Sequence, residues 1–242
     1  MAEAPLAERY KIEVSAGLWN PSPEISIASE SLGIIGSTID FVDDLGLAKK
    51  RIGALGVTLH PGRKHKLRLE YLPMQYTQST TLKRDVVFNG QRYRAGLPVS
   101  STLDWNAYRF TYEFDFISMN RGFGGLLVDM RATDITATLR TSVLDEFTRL
   151  RAPVPTIGGI ARVYIVPAIS VTGELTGIKV PKRDLWNFSG RYTDLNLYGT
   201  VNVSRNIGAQ VGYRSFDVEA QIDQDSGTLT MKGVYFGIVA RY

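Results

Sequence analysis

Ala107-Tyr108-Arg109-Phe110-Thr111-Tyr112-Glu113-Phe114-Asp115-Phe116 decides how this chain is read. Tyr108, Phe110, Tyr112, Phe114 and Phe116 fall on one parity, and Arg109, Thr111, Glu113 and Asp115 on the other. Successive side chains of a strand point to opposite faces, so this stretch is a strand with an aromatic face and a charged face. A helix would scatter the five rings around its circumference. A soluble sheet needs a deep core to cover such a stripe, whereas a bilayer covers it directly.

The same period recurs at the end of the chain. In Val234-Tyr235-Phe236-Gly237-Ile238-Val239-Ala240-Arg241-Tyr242 one face carries Val234, Phe236, Ile238, Ala240 and Tyr242, and the other Tyr235, Gly237, Val239 and Arg241. A last strand that alternates and stops on an aromatic resembles the closing strand of bacterial outer-membrane β-barrels. The resemblance is to small outer-membrane barrels in general, OmpA-like and OmpW-like barrels among them. Unlike OmpA-like proteins, the chain is expected to carry no C-terminal periplasmic domain. The resemblance implies that this strand is read by the barrel-insertion machinery. It also implies that outer-membrane lipid and lipopolysaccharide surround the protein.

Outward from these two segments, eight more alternate over a spanning length of ~9–11 residues or longer. They are Arg9–Trp19, Lys49–His60, a strand from about Lys66 to Tyr71, Phe123–Leu139, Thr156–Val166, Ala168–Val180, Arg191–Ser204 and Ile207–Ile222. The links near Pro61, Asn120, Pro167 and Asn206 are short, and those at Asn20–Ala48, Thr81–Thr102, Arg140–Pro155 and Pro181–Gly190 are long. Outer-membrane barrels put short turns in the periplasm and long loops outside. The expected fold is therefore all-β: a single-domain (1–242), antiparallel, up-and-down transmembrane β-barrel of about ten strands, with twelve or eight as alternatives. Twelve strands result if Ile25–Ser29 and Ile35–Phe41 also pair. Val86–Tyr93 reads as a loop hairpin about Asn89-Gly90. Ser142–Leu150 reads as a short helix, with Ser142 and Asp145 in an N-terminal capping pattern.

Composition narrows the classes. Across 242 residues hydrophobics make up 44% and the mean hydropathy is -0.07. No window approaches the ~20 apolar residues of a spanning helix. Barrels give only a weak hydropathy signal, because half of each strand faces a polar interior. With no cysteine, thiol catalysis, disulfides and cysteine-ligated zinc are excluded. The net charge of +4 is spread without a basic run, which argues against nucleic acid. Ala2-Glu3-Ala4-Pro5 reads as a mature N-terminus from which an export signal has been removed. The expected location is the bacterial outer membrane.

If Tyr108, Phe110, Tyr112, Phe114, Phe116, Phe236, Ile238 and Tyr242 face lipid, parity puts Lys11, Glu13, Arg68, Glu70, Arg109, Glu113, Asp115, Asp129, Arg131, Arg162, Glu174, Asp194, Arg214 and Arg241 in the lumen. Charges inside a ten-strand barrel must pair or meet water. Two functions follow: a narrow passive channel for small solutes, or a non-transporting structural or surface-interaction barrel whose lumen is closed by salt bridges. A soluble periplasmic sandwich or barrel is a third reading, and it requires the Tyr108–Phe116 stripe to be covered.

No catalytic or metal site is expected, and no cofactor. His60 and His65 flank a short turn, with neither a Ser–Asp neighbourhood for a triad nor obvious carboxylates for a metal. Glu113 and Asp115 share a face with Arg109, which favours salt bridging over paired-carboxylate catalysis. Asp40, Asp43, Asp44 and Gly46 miss the calcium-loop spacing.

Overall fold

The fold is described from a computed structural model over residues 8–28, 39–40, 42, 44, 46, 49–88, 91–141, 145–181, 188–222 and 225–242. In chain order the strands are β1 (Ile12–Ala28), β2 (Ile39–Asp40), β3 (Ile52–Gly62), β4 (His65–Thr81), β5 (Val86–Phe88), β6 (Gln91–Tyr93), β7 (Pro98–Met119), β8 (Gly122–Arg140), β9 (Asp145–Val166), β10 (Ile169–Val180), β11 (Phe188–Asn202), β12 (Ile207–Ile222) and β13 (Asp225–Arg241). Ten of them, β1, β3, β4 and β7 to β13, pair antiparallel with their neighbours in sequence order. β13 then pairs with β1, from Glu13↔Arg241 to Ala28↔Ser226, and closes the barrel. As far as Leu55 and Tyr71 this closure leaves no edge strand with unpaired backbone, the condition for crossing a bilayer with sheet.

Both described chain ends, and the tight links at residues 63–64, 120–121, 167–168 and 203–206, lie at one end of the barrel, here the terminal end. The strands carry on well past the spanning length at the distal end. β7 and β9 are 22 residues each. Three of the stretches read as loops are therefore partly strand. β1 runs on to Ala28, β7 begins at Pro98, and Asp145–Leu150 pairs with Arg140–Ile135. That last pairing overturns the helix expected at Ser142–Leu150, of which 142–144 lie outside the described residues. The distal links at 141–144, 181–187 and 223–224 are short, and only those after β1 and β4 are long. Ile25–Ser29 and Ile35–Phe41 add no spanning strands: the first continues β1 and the second supplies the two-residue β2. The hairpin at Val86–Tyr93 is β5–β6.

The physical reason is a reversal of phase. On the terminal half of β7 the even positions Tyr108, Phe110, Tyr112 and Phe116 are exposed, while Arg109, Thr111, Glu113 and Asp115 are buried. On its distal half Val99, Leu103 and Trp105 are the buried apolar positions, and Asp104 and Asn106 face outward. The apolar face thus switches sides between Ala107 and Tyr108. β4 switches between Tyr71 and Leu72, and β1 between Leu18 and Trp19. On these strands the terminal half is apolar outside and charged inside, and the distal half is polar outside and apolar inside.

The exposed apolar band includes Leu18 at 56%, Phe236 at 63% and Ile238 at 64% exposure, with comparable residues on every barrel strand. Such a continuous band has no place in water. From Tyr108 to Phe116, at ~3.3 Å per residue and a ~40° tilt, its height is roughly 20 Å, close to the ~25 Å of a barrel's lipid-facing band. The stripe at Tyr108–Phe116 is uncovered, which overturns the soluble alternative. The terminal half spans the membrane and the distal half stands beyond it.

Candidate functional site

Only inward positions can act on anything within the barrel, so the interior is where chemistry would sit. Starting at the terminal end, Glu8 reaches into the mouth just before β1. Arg162 Nη1 and the Tyr164 hydroxyl each donate to its Oε1 at 2.6 Å. Lys66 lies 3.7 Å from its other oxygen. The Lys66 ammonium also binds Glu113 at 2.8 Å and Asp115 at 3.1 Å, and lies 3.8 Å from the centre of the Phe123 ring. Burial alone would raise the Glu8 carboxyl. Arg162 and Lys66 outweigh it, and Glu8 is held well below the usual carboxylate range.

One layer further in, Arg68 spans from Glu113 at 3.1 Å to Glu174 at 2.8 Å. The Tyr198 hydroxyl donates to the same Glu174 oxygen at 3.0 Å. The next layer is built on two aspartates. Asp129 takes Arg109 at 2.9 Å and Arg131 at 3.2 Å; Asp194 takes Arg131 and Arg214 at 2.9 Å each. Arg214 also binds Glu70. Beside this stack, Arg241 pairs with Glu13 at 2.5 Å and donates to Asn202 at 2.6 Å. Antiparallel register is what assembles these layers. Arg109 stands opposite Glu70 and Arg131, and Asn196 opposite Arg214.

Of the fourteen residues assigned to the lumen by parity, thirteen lie in this network. Lys11 does not: it is exposed at the rim, just before β1 begins. Glu8 and Lys66 were missed. Lys66 shares its parity with Arg68 and Glu70, so its signal was present. Glu8 precedes the first alternating run, and no period could have placed it. Glu113 and Asp115 both close on Lys66, so this carboxylate pair serves as an anchor for a cation. Among the lipid-facing assignments, Tyr108, Phe110, Tyr112, Phe116, Phe236, Ile238 and Tyr242 are exposed. Phe114 is half-buried, with its ring 5.2 Å from that of His65.

Above the last ion layer the interior turns apolar. Trp19, Ile52, Leu72, Met74, Trp105, Phe216 and Met231 form one cluster, each 5% exposed or less. Leu82, Val86 and Tyr93, from the connection that carries β5–β6, extend it toward the distal end. Beside the ion layers, from the level of Glu13 and Thr58 up to that of Trp19 and Leu72, lies a cavity of about 120 Å³ bounded by Arg68, Glu70, Arg109, Tyr198 and Arg214. The opposite wall is made of small residues, Ser15, Gly17, Gly56 and Gly237. At ~30 Å³ per water it has room for a few water molecules.

The histidines do not assemble a site. His60 points inward beside the Tyr10 ring, 5.3 Å away. His65 stands on the outer face, 2.7 Å from the Tyr112 hydroxyl. Among the described residues no group of three or more His, Asp or Glu side chains is placed to hold a metal. Asp43 lies outside the described residues, and Asp44 pairs with Arg84 at 2.5 Å.

No family model and no curated protein matches the chain by sequence. Solved structures do match. The outer membrane protease OmpT from Escherichia coli aligns over 96% of this chain and 97% of its own, with a TM-score of 0.62 and 9% identity. The fold is that of a small outer-membrane β-barrel. The transport unit of the autotransporter AIDA-I from Escherichia coli covers 96% of this chain and 89% of its own at 9% identity, with a TM-score of 0.46. At 9% identity the likeness to OmpT is one of fold, and protease activity is said of OmpT alone.

Proposed function

We propose that this protein is a closed barrel of the bacterial outer membrane, a rigid scaffold that holds its distal end at the cell surface for interaction. The observation that carries the reading is the double seal of the lumen. Paired charges fill the membrane-spanning half, and Trp19, Trp105, Phe216 and their neighbours fill the half above it. A solute path needs polar lining along its whole length, and the apolar zone interrupts it. The narrow channel suggested by the charges alone is therefore the weaker reading.

In this arrangement the terminal end faces the periplasm, and the two long connections after β1 and β4 face outward. Lipid and lipopolysaccharide contact the apolar band, and the β13 strand is the segment presented to the insertion machinery. The protein acts without cofactor and without catalysis, a reading supported by the histidines' position at the terminal end, on opposite faces of the wall. Conductance of the refolded barrel in planar bilayers tests the proposal, with a heat-shift gel as folding control. A folded, inserted, silent barrel is expected. Discrete steps that change with Arg109→Ala would restore the channel.

A further inference from the structure

At one place the wall of the barrel does not close over its full height. β3 pairs with β1 from Leu59 up to Ile52, but with β4 only as far as Leu55↔Tyr71. β4 continues ten residues further, to Thr81, paired there only with β7. The result is a notch of about 310 Å³ between β3 and β4, bounded by Lys50, Arg51, Gly53, Pro73, Asp104 and Asn106.

The notch has a definite height. Immediately below it Tyr71 and Tyr108 stack at 4.8 Å, and these rings form the upper edge of the exposed apolar band on β4 and β7. The Tyr71 hydroxyl donates to Asn106 at 3.0 Å, which fixes the ring and turns the amide toward the notch floor. The opening therefore stands at the level of the outer leaflet's headgroups, where aromatic girdles sit.

Its chemistry is cationic. Lys49, Lys50 and Arg51 are consecutive and all exposed. Lys50 donates to the Gln75 carbonyl at 2.9 Å, which holds its ammonium against the rim. Lys49 and Arg51 have no carboxylate partner among the described residues. Among the described residues Asp104 is the only carboxylate that bounds the notch. The backbone edge is prepared as well. Gln75 turns its carbonyl to the notch, and Pro73, two residues earlier, shares that orientation and has no N–H to leave unpaired. No strand partner is required there, so the opening costs no buried donor.

We propose that this notch binds the phosphate of an outer-leaflet lipid headgroup, with Lys50 and Arg51 as its ligands, Lys49 adding charge and the Tyr71–Tyr108 pair taking the proximal acyl chain. The proposal rests on the membrane placement given above. Charge alone does not distinguish this spot, since Lys179 and Arg191 stand opposite one another on the outer face of β10 and β11 at a similar level. The notch and the aromatic floor do distinguish it, and the Lys179/Arg191 pair supplies the control.

The test follows the heat-shift midpoint of the full chain folded in zwitterionic detergent during titration with dihexanoylphosphatidic acid. Inorganic phosphate and dihexanoylphosphatidylcholine form parallel arms. A ligand that binds only the folded barrel raises its midpoint with concentration. The wild type is expected to respond to the phosphatidic acid alone. Lys50→Gln/Arg51→Gln is expected to weaken the apparent affinity by about tenfold or more, as for lost charge-assisted hydrogen bonds. Lys179→Gln/Arg191→Gln is expected to leave it within about twofold, and Asp104→Asn to tighten it. Equal losses in the two charge variants would reduce the site to diffuse attraction and overturn it. A phosphate curve matching that of phosphatidic acid would reassign the site to the free anion and equally overturn the lipid. So would a folded wild type that does not respond. A chain that gives no heat-shifted band in detergent, and folds in plain buffer, removes the membrane placement first and the proposal with it.

Discussion

Trp105 meets Phe216 edge to face, with 5.4 Å between ring centroids, two inward positions above the Arg109–Asp129 ion pair. That contact marks where the interior changes from salt bridges to hydrocarbon. Phe216 also packs on Trp19 at 5.5 Å, so three rings from β1, β7 and β12 cross the lumen.

Removing a ring from this lid should be costly. Trp105→Ala or Phe216→Ala leaves a cavity among Leu72, Met74 and Met231 and is expected to destabilise the barrel by about 3–5 kcal/mol. Reversible urea unfolding followed by tryptophan fluorescence, or by the gel shift for the Trp105 variant, measures it. A loss below ~1 kcal/mol would mean that these rings do not form a packed core.

The ion layers should answer differently to single and double changes. Asp194→Asn leaves Arg131 and Arg214 short of a carboxylate inside the membrane half, with an expected loss of about 3 kcal/mol or more. Arg131→Met made together with Asp194→Asn removes a charge of each sign and is expected to recover part of that loss. A double-mutant cycle on unfolding free energies reads the coupling. Strict additivity would mean that the pair is not an energetic unit.

Glu8 gives the barrel an acid-sensitive latch. Its folded carboxyl lies below the unfolded value, so its contribution is complete above that unfolded value of about 4.3. It fades as the pH falls through the range below, when the carboxylate facing Arg162 and Lys66 takes up a proton. Glu8→Gln is expected to be less stable than wild type at pH 7, with the gap narrowing between about pH 5 and 3. Unfolding midpoints across that range decide it, and a gap that widens in acid would have the wrong sign.

The phase reversal sorts outward substitutions by height. Phe110→Arg falls inside the lipid-facing band and is expected to cost about 2–4 kcal/mol, whereas Asn106→Arg, four residues away on the same face, is expected to cost about 1 kcal/mol or less. Unfolding in phospholipid vesicles compares them, and equal costs would put the bilayer boundary elsewhere.

Much of this was legible in the sequence, but only below that boundary. Tyr108–Phe116 and Val234–Tyr242 alternate in one unbroken phase, and a phase fixes both faces at once. Arg109, Asp129, Arg131, Asp194 and Arg214 could therefore be assigned inward without any contact in hand. Above Ala107 the alternation does not stop; it inverts. A scan for one apolar parity reads an inversion as an interruption, which is why Pro98–Thr102 looks like the end of a loop. The signal that corrects it is present in Val99, Leu103 and Trp105 set against Thr102, Asp104 and Asn106. Partner choice was the illegible part. Parity says that Arg68 faces inward, but its reach to Glu174 depends on β4 and β10, which meet only across the lumen. Glu8 reaches Arg162 the same way, and the Tyr192 hydroxyl accepts from Arg131 at 2.9 Å between strands that are not neighbours.

A single-cysteine scan along Pro98–Phe116 tests both halves of the description at once, and the cysteine-free chain makes it clean. Each position carries a nitroxide in the refolded, vesicle-inserted barrel, and its collisions with oxygen and with a water-soluble nickel chelate are measured. Oxygen contact is expected to peak at 108, 110, 112 and 116 and chelate contact at 100, 102, 104 and 106, with neither high at 99, 103, 105, 109, 111 or 113. Chelate contact at the odd positions would show a water-filled lumen, and oxygen peaks continuing unbroken above 108 would show that the apolar face does not change sides; either result contradicts the closed, two-zone barrel.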